Sequence, residues 1–233
     1  MKPLKQVFFL ALAMIFPAVM TAGYAMELLP TDWRKMVYIA GKIVQFSLPL
    51  FFLYWTGRAK QPEGRDKPGC IAEGIIFGLM VVGLMVVLVE FLLPREWFQD
   101  AGATIRKKLT AMDMFDPFRY TVLGVFYAMI HSLLEEYYWR WFVFQELGGF
   151  VRAAGAAVLS AAVFTAHHVI ILGVYFEWKL LPVALMSVGV FLGGLYWAWL
   201  YHRAGRLRDV WISHMFVDAG IFLIGYRLLF GGV

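Results

Sequence analysis

Charge is scarce in this chain and cysteine is almost missing. Only 16% of its 233 residues are Asp, Glu, Lys or Arg, against about a quarter in an ordinary soluble domain. That shortage excludes a normally wetted globular surface. Cys70 is the single cysteine, so an intrachain disulfide and a cysteine metal cluster are both ruled out. Internal repeats, low-complexity tracts and a soluble domain are lacking as well. The net charge of +5 sits in short basic clusters between apolar runs, as in the loops of membrane proteins. It forms no basic patch interleaved with polar residues, which argues against a nucleic-acid partner.

What the chain does contain is apolar: 61% hydrophobic and 18% aromatic residues. A membrane-spanning helix needs about 20 mainly apolar residues. Seven windows qualify, at 6–28, 36–55, 71–94, 118–147, 153–176, 180–201 and 210–230. They predict an all-α, polytopic membrane protein of about seven transmembrane helices, its functional core formed by the last four. The polar, Gly- and Pro-rich loop 56–70 separates a two-helix lead-in (1–70) from a helical core (71–233). Ala22-Gly23-Tyr24-Ala25 faintly resembles a signal-peptidase site, but the apolar stretch is long for a signal peptide and favours a retained span. A slight excess of Lys and Arg predicts a cytoplasmic N-terminus. The segment around Arg106-Lys107-Lys108 is expected along the membrane surface. Small residues every fourth position, at Ala153, Ala157 and Ala161 and at Gly189 and Gly193, would let helices approach closely.

The fourth window carries three charges, Glu135, Glu136 and Arg140. A charge at the bilayer centre costs at least about 2.5–3.5 kcal/mol, so such residues usually face a protein interior and carry function. Glu136 and Arg140 are i and i+4 on one helical face, with the acid N-terminal to the base, the better orientation for a pair. Glu135 points about a quarter-turn away and shares its face with His131. The spacing therefore suggests that Arg140 neutralises Glu136 and leaves Glu135 free to act. A buried ion-pair cluster locking helices together is the structural alternative, but the second carboxylate is surplus to it. The fifth window holds Phe164 and the adjacent His167 and His168, of which only one is expected to serve a site. The seventh opens on His214 and Asp218, again i and i+4. Lys42, Glu73, Glu90 and Arg227 also lie in or near spans; snorkelling suits Lys42, Glu73 and Arg227. His202 is assigned to the basic loop with Arg203, Arg206 and Arg208.

In order, the chain reads Glu-Glu-x-x-x-Arg (Glu135, Glu136, Arg140), Phe-x-x-x-His (Phe164, His168) and His-x-x-x-Asp (His214, Asp218). This resembles the CPBP family of intramembrane proteases, also termed the CAAX-protease or Abi family, whose motifs are EExxxR, FxxxH and HxxxN/D. The resemblance covers about 118–220 and implies an integral membrane endopeptidase, of the prokaryotic plasma membrane, acting on membrane-associated peptides or proteins. By position it implies Glu135 as general base on water and His168 as a residue holding that water. It implies Glu136, locked by Arg140, as a brace, and His214 with Asp218 at the oxyanion. An ionised Asp218 cannot donate to an oxyanion as asparagine can, so it is either protonated or orients His214. The metal-free reading is favoured; were zinc present, Glu135, His168, His214 and Asp218 are ligand types it accepts, though HExxH is lacking. A non-proteolytic scaffold or immunity protein of the same fold and a carrier remain as alternatives. The lack of repeats counts against the carrier.

Overall fold

A computed structural model describes residues 2–26, 29–57 and 70–231. The expected linker 56–70 lies almost wholly outside the described residues. The described chain is built of helices, with no strand. We label them α1 (Lys2–Ala25), α2 (Thr31–Thr56), α3 (Ile71–Val87, continued by a π turn Leu88–Leu92), α4 (Arg95–Ala111), α5 (117–147), α6 (Ala153–Tyr175), α7 (Leu180–Ala204) and α8 (Leu207–Phe230). Six of them, α1, α2, α3, α6, α7 and α8, are long and apolar enough to cross a membrane. With the apolar side chains that many of them leave outward, this is an all-α polytopic membrane protein.

The remaining expected span, 118–147, is helical but not uniformly α. Within α5, α-helical Pro117–Phe126, Ser132–Glu136 and Gln145–Leu147 alternate with π-helical Tyr127–His131 and Tyr137–Phe144. Asp116 starts it as N-cap, its carboxylate accepting the Arg119 amide at 2.9 Å, with Pro117 at the first helical position where no amide partner is needed. π turns are uncommon and concentrate at functional sites. Here they flank the short α segment that carries Glu135 and Glu136, so α5 is widened on both sides of its charges.

The lead-in helices are not a separate layer. Leu10 and Ala13 of α1 and Phe52 of α2 join one buried cluster with Tyr138, Trp139 and Phe142 of α5, Trp197 and Leu200 of α7 and Val210 of α8. The Tyr138 hydroxyl donates to the Ala13 carbonyl at 2.7 Å. The amphipathic α4 buries Phe98, Ala101 and Leu109 against the bundle, and Arg106 reaches the Leu229 carbonyl at 3.1 Å. Its basic residues thus sit on a helix packed on protein. Glu90 pairs with Arg227 at 3.1 Å, and Arg203 pairs with Glu73, so these charges are matched between helices. His202 closes the last turn of α7 instead of lying in a loop.

Close helix approach occurs, but mostly at other small residues than the spacing suggested. Gly189 has open space around it, and Gly193 meets only Trp197 of its own helix. The α6–α7 contact runs through Gly194, where an added Cβ would lie 3.1 Å from Ala161 Cβ. The tightest approach of backbone to backbone between helices, among the described glycines, is between α3 and α8. A Cβ on Gly74 would lie 2.6 Å from the Asp209 carbonyl oxygen, and one on Gly78 2.8 Å from that of Ser213. Backbone cannot yield as a flexible side chain can. Gly74→Leu is therefore expected to cost about 1–3 kcal/mol, the range for overpacking, seen as a lower thermal midpoint in detergent. An unchanged midpoint would show that α3 can shift freely.

Candidate active site

The charged face of α5 meets α6 and α8 in the middle of the bundle. Glu136 and Arg140 are completely buried or nearly so. Arg140 Nε lies 3.2 Å from Glu136 Oε2, off the axis of a good hydrogen bond. Arg140 Nη2 donates to the Gly194 carbonyl at 3.3 Å. Its guanidinium also rests over the rings of Phe164 and Trp197, at 4.8 and 5.3 Å. Such contacts suit a planar, weakly hydrated cation.

Glu136 also makes a contact that its own helix does not foretell. Its Oε1 lies 2.7 Å from His214 Nδ1 of α8. A carboxylate held by arginine accepts, so Nδ1 is the donor. His214 is stacked on Trp197 at 4.0 Å between centroids, and Trp197 is held in turn by Ser213 Oγ at 3.1 Å. The other nitrogen, Nε2, faces Asp218 Oδ1 at 3.5 Å and Glu135 Oε2 at 3.8 Å.

Glu135 is 3% exposed and ringed by imidazoles. Besides His214, His167 Nε2 lies 3.5 Å from Oε1 and His131 Nδ1 lies 4.0 Å from it. The expectation that only one of His167 and His168 faces the site does not hold geometrically. Glu135, His167 and His168 each offer a ligand atom within 4.8 Å of the others. Adjacent helical residues diverge by about 100°, yet two long imidazoles can reach a carboxylate lying between their directions. His167 is stacked parallel on Trp139 at 5.6 Å, and its Nδ1 is buried without a hydrogen-bond partner. His168 Nδ1 lies 2.9 Å from the Phe164 carbonyl, leaving Nε2 for the site. The Phe164 ring touches both histidines and the arginine, which gives that motif position a packing reason. A cavity of about 340 Å³ lies between α6 and α7, lined by Val169, Trp178, Leu180, Val183, Ala184 and Ser187 and by none of the residues of this centre.

All six residues singled out from the motifs, Glu135, Glu136, Arg140, His168, His214 and Asp218, thus stand around one centre. The structure adds His167, and it adds Lys42, whose Nζ lies 3.2 Å from His131 Nε2 and so does not snorkel outward. The zinc-type donors brought closest are Glu135, His167 and His168. That differs from the four-residue set, because His214 has both nitrogens turned to carboxylates.

The fold and this centre together define a polytopic helical membrane protein with a carboxylate–histidine site buried among its helices. Residues 117–220 match the family model described as type II CAAX prenyl endopeptidase Rce1-like. The match covers a little under half of the chain and supports a likeness to the CPBP, or CAAX-protease, family and to its CAAX-protease-type enzymes. Comparison with curated proteins and with solved structures returns no match.

Proposed function

We propose that this protein hydrolyses a peptide bond near the C-terminus of membrane-associated substrates by a glutamate mechanism without a metal. The observation that carries this reading is the Glu135 carboxylate, 3% exposed and approached by His131, His167 and His214 at 3.5–4.0 Å. Glu135 removes a proton from water as the water oxygen attacks the scissile carbonyl carbon. The carbonyl electrons move to oxygen, and His214 Nε2, when it carries a proton, donates to that oxyanion. When the C–N bond breaks, Glu135 returns the proton to the leaving amine. General-base catalysis of this kind contributes about 10²–10⁴-fold. The 3.5 Å approach of Asp218 to His214 Nε2 supports the orienting role for Asp218. His168 Nε2 is free to hold the water.

A zinc ion is the competing reading, favoured by the proximity of Glu135, His167 and His168. Those residues would hold it, and it would supply an activated water. Both readings meet one experiment. The purified protein is mixed with prenylated and unprenylated peptides ending in Cys-a-a-X, and the products are weighed by mass spectrometry. Release of a C-terminal fragment is expected, and it should survive a strong zinc chelator. Loss of cleavage restored by zinc would overturn the metal-free mechanism. No cleavage of any peptide would favour a non-proteolytic scaffold.

A further inference from the structure

Lys42 is a cation in a membrane-spanning helix with no carboxylate in ion-pair range among the described residues. It sits on the inner face of α2 with Gly41, Gln45 and Pro49, which are buried. Its Nζ contacts His131 Nε2 at 3.2 Å and lies 5.5 Å from the centre of the Phe46 ring. An ammonium can only donate. His131 therefore accepts at Nε2 and carries its proton on Nδ1, the nitrogen that faces Glu135 at 4.0 Å. One of the three ammonium protons is used in this contact, and no other hydrogen-bond acceptor reaches Nζ among the described residues. An intramembrane cation of this kind calls for an anionic partner, and the nearest, Glu135, stands behind the imidazole.

The distance gives that missing partner a chemistry. Two short contacts and one imidazole ring separate Nζ from the Glu135 carboxylate. Nζ is thus within about 10 Å of it, the span of about three extended residues at ~3.3–3.6 Å each. In a C-terminal Cys-a-a-X motif, three residues follow the cysteine and the last bears the free carboxylate. If the bond after the cysteine is held at Glu135, the chain end falls where Lys42 stands.

We propose that Lys42 receives the free C-terminal carboxylate of the substrate, so that α2 measures the distance from chain end to scissile bond. The proposal rests on the endopeptidase reading and names its specificity device. Lys42 lies outside residues 117–220, the stretch matched by the family model. Around it, the Tyr38 and Tyr127 hydroxyls meet at 3.1 Å and offer polar groups to the last peptide units. A charge-assisted hydrogen bond to a buried partner is worth about 1.5–3 kcal/mol, or roughly 10–100-fold in affinity.

The test uses the full-length protein in liposomes and two prenylated peptides of one sequence, one ending in a free carboxylate and the other in a carboxamide. The wild-type chain is expected to favour the acid by about 10–100-fold in kcat/KM, chiefly through KM. Lys42→Met should bring the acid-to-amide ratio close to one, and Lys42→Arg should retain most of it. A wild-type ratio near one would overturn the proposal, as would a ratio that survives Lys42→Met. An equal slowing of both peptides by Lys42→Met would also do so, since it would place the role in holding His131. Binding measured on Glu135→Gln separates this proposal from the cleavage reading. Tighter binding of the acid, lost on adding Lys42→Met, upholds the anchor even where wild type cuts neither peptide. Equal binding of acid and amide overturns it.

Discussion

Glu135→Gln is expected to lower kcat for peptide cleavage by at least about 10³-fold, within the upper part of the range for losing a general base. The glutamine is nearly isosteric and can still accept from the imidazoles that approach Glu135, so packing around it is kept. What it lacks is a basic oxygen to take the proton from water. KM should change little, because the carboxylate acts on water instead of the substrate's binding groups. An equal fall of kcat and kcat/KM is the signature of an interaction made only in the transition state. The check is a steady-state comparison of purified wild type and variant, with the thermal midpoint of each as a folding control. Residual cleavage within about tenfold of wild type would remove Glu135 from the role of base. His167, which approaches the same oxygen at 3.5 Å and stacks on Trp139, would then be the next residue to examine.

The amino-acid pattern made the spans legible because a bilayer demands long apolar helices, and the helix bounds follow the apolar windows within a few residues. Helix α2 begins earlier than its window, at Thr31 after Pro30. Helix α8 likewise starts at Leu207, ahead of its apolar run. Within one helix, spacing also served: Glu136 faces Arg140, and Glu135 shares a side with His131. Contacts between helices were not legible, because face arguments say nothing of which helices are neighbours. The 2.7 Å contact of Glu136 with His214 is of this kind, as is the approach of Lys42 to His131. The glycines make the same point. Gly189 and Gly193 have the spacing of a packing motif, yet Gly74 and Gly78 make the tight approach, since spacing does not reveal which face has a partner. The π turns of α5 were likewise hidden, because the side-chain pattern of 118–147 reads as an ordinary apolar helix.

Arg140→Met should destabilise the protein more than any other single change proposed at this site. Glu136 has no exposed surface and is held by two groups, Arg140 at 3.2 Å and His214 at 2.7 Å. Methionine fills much of the arginine's volume but leaves the carboxylate facing the rings of Phe164 and Trp197. Removing one partner of a buried pair typically costs about 3–5 kcal/mol, because the remaining charge has lost its compensation. The loss is to be read from the thermal midpoint in detergent, together with loss of cleavage as His214 loses a fixed partner. The companion double variant, Glu136→Gln with Arg140→Met, removes both charges and should recover much of the stability, since replacing a whole buried pair is often close to neutral. It should not recover activity, because a neutral amide orients His214 less firmly than a carboxylate does. Stability restored without activity would separate the two duties of Glu136, as a partner for arginine and as the group that fixes His214. A double variant as unstable as Arg140→Met would instead show that the arginine's own contacts, to the Gly194 carbonyl and the two aromatic rings, hold the helices together.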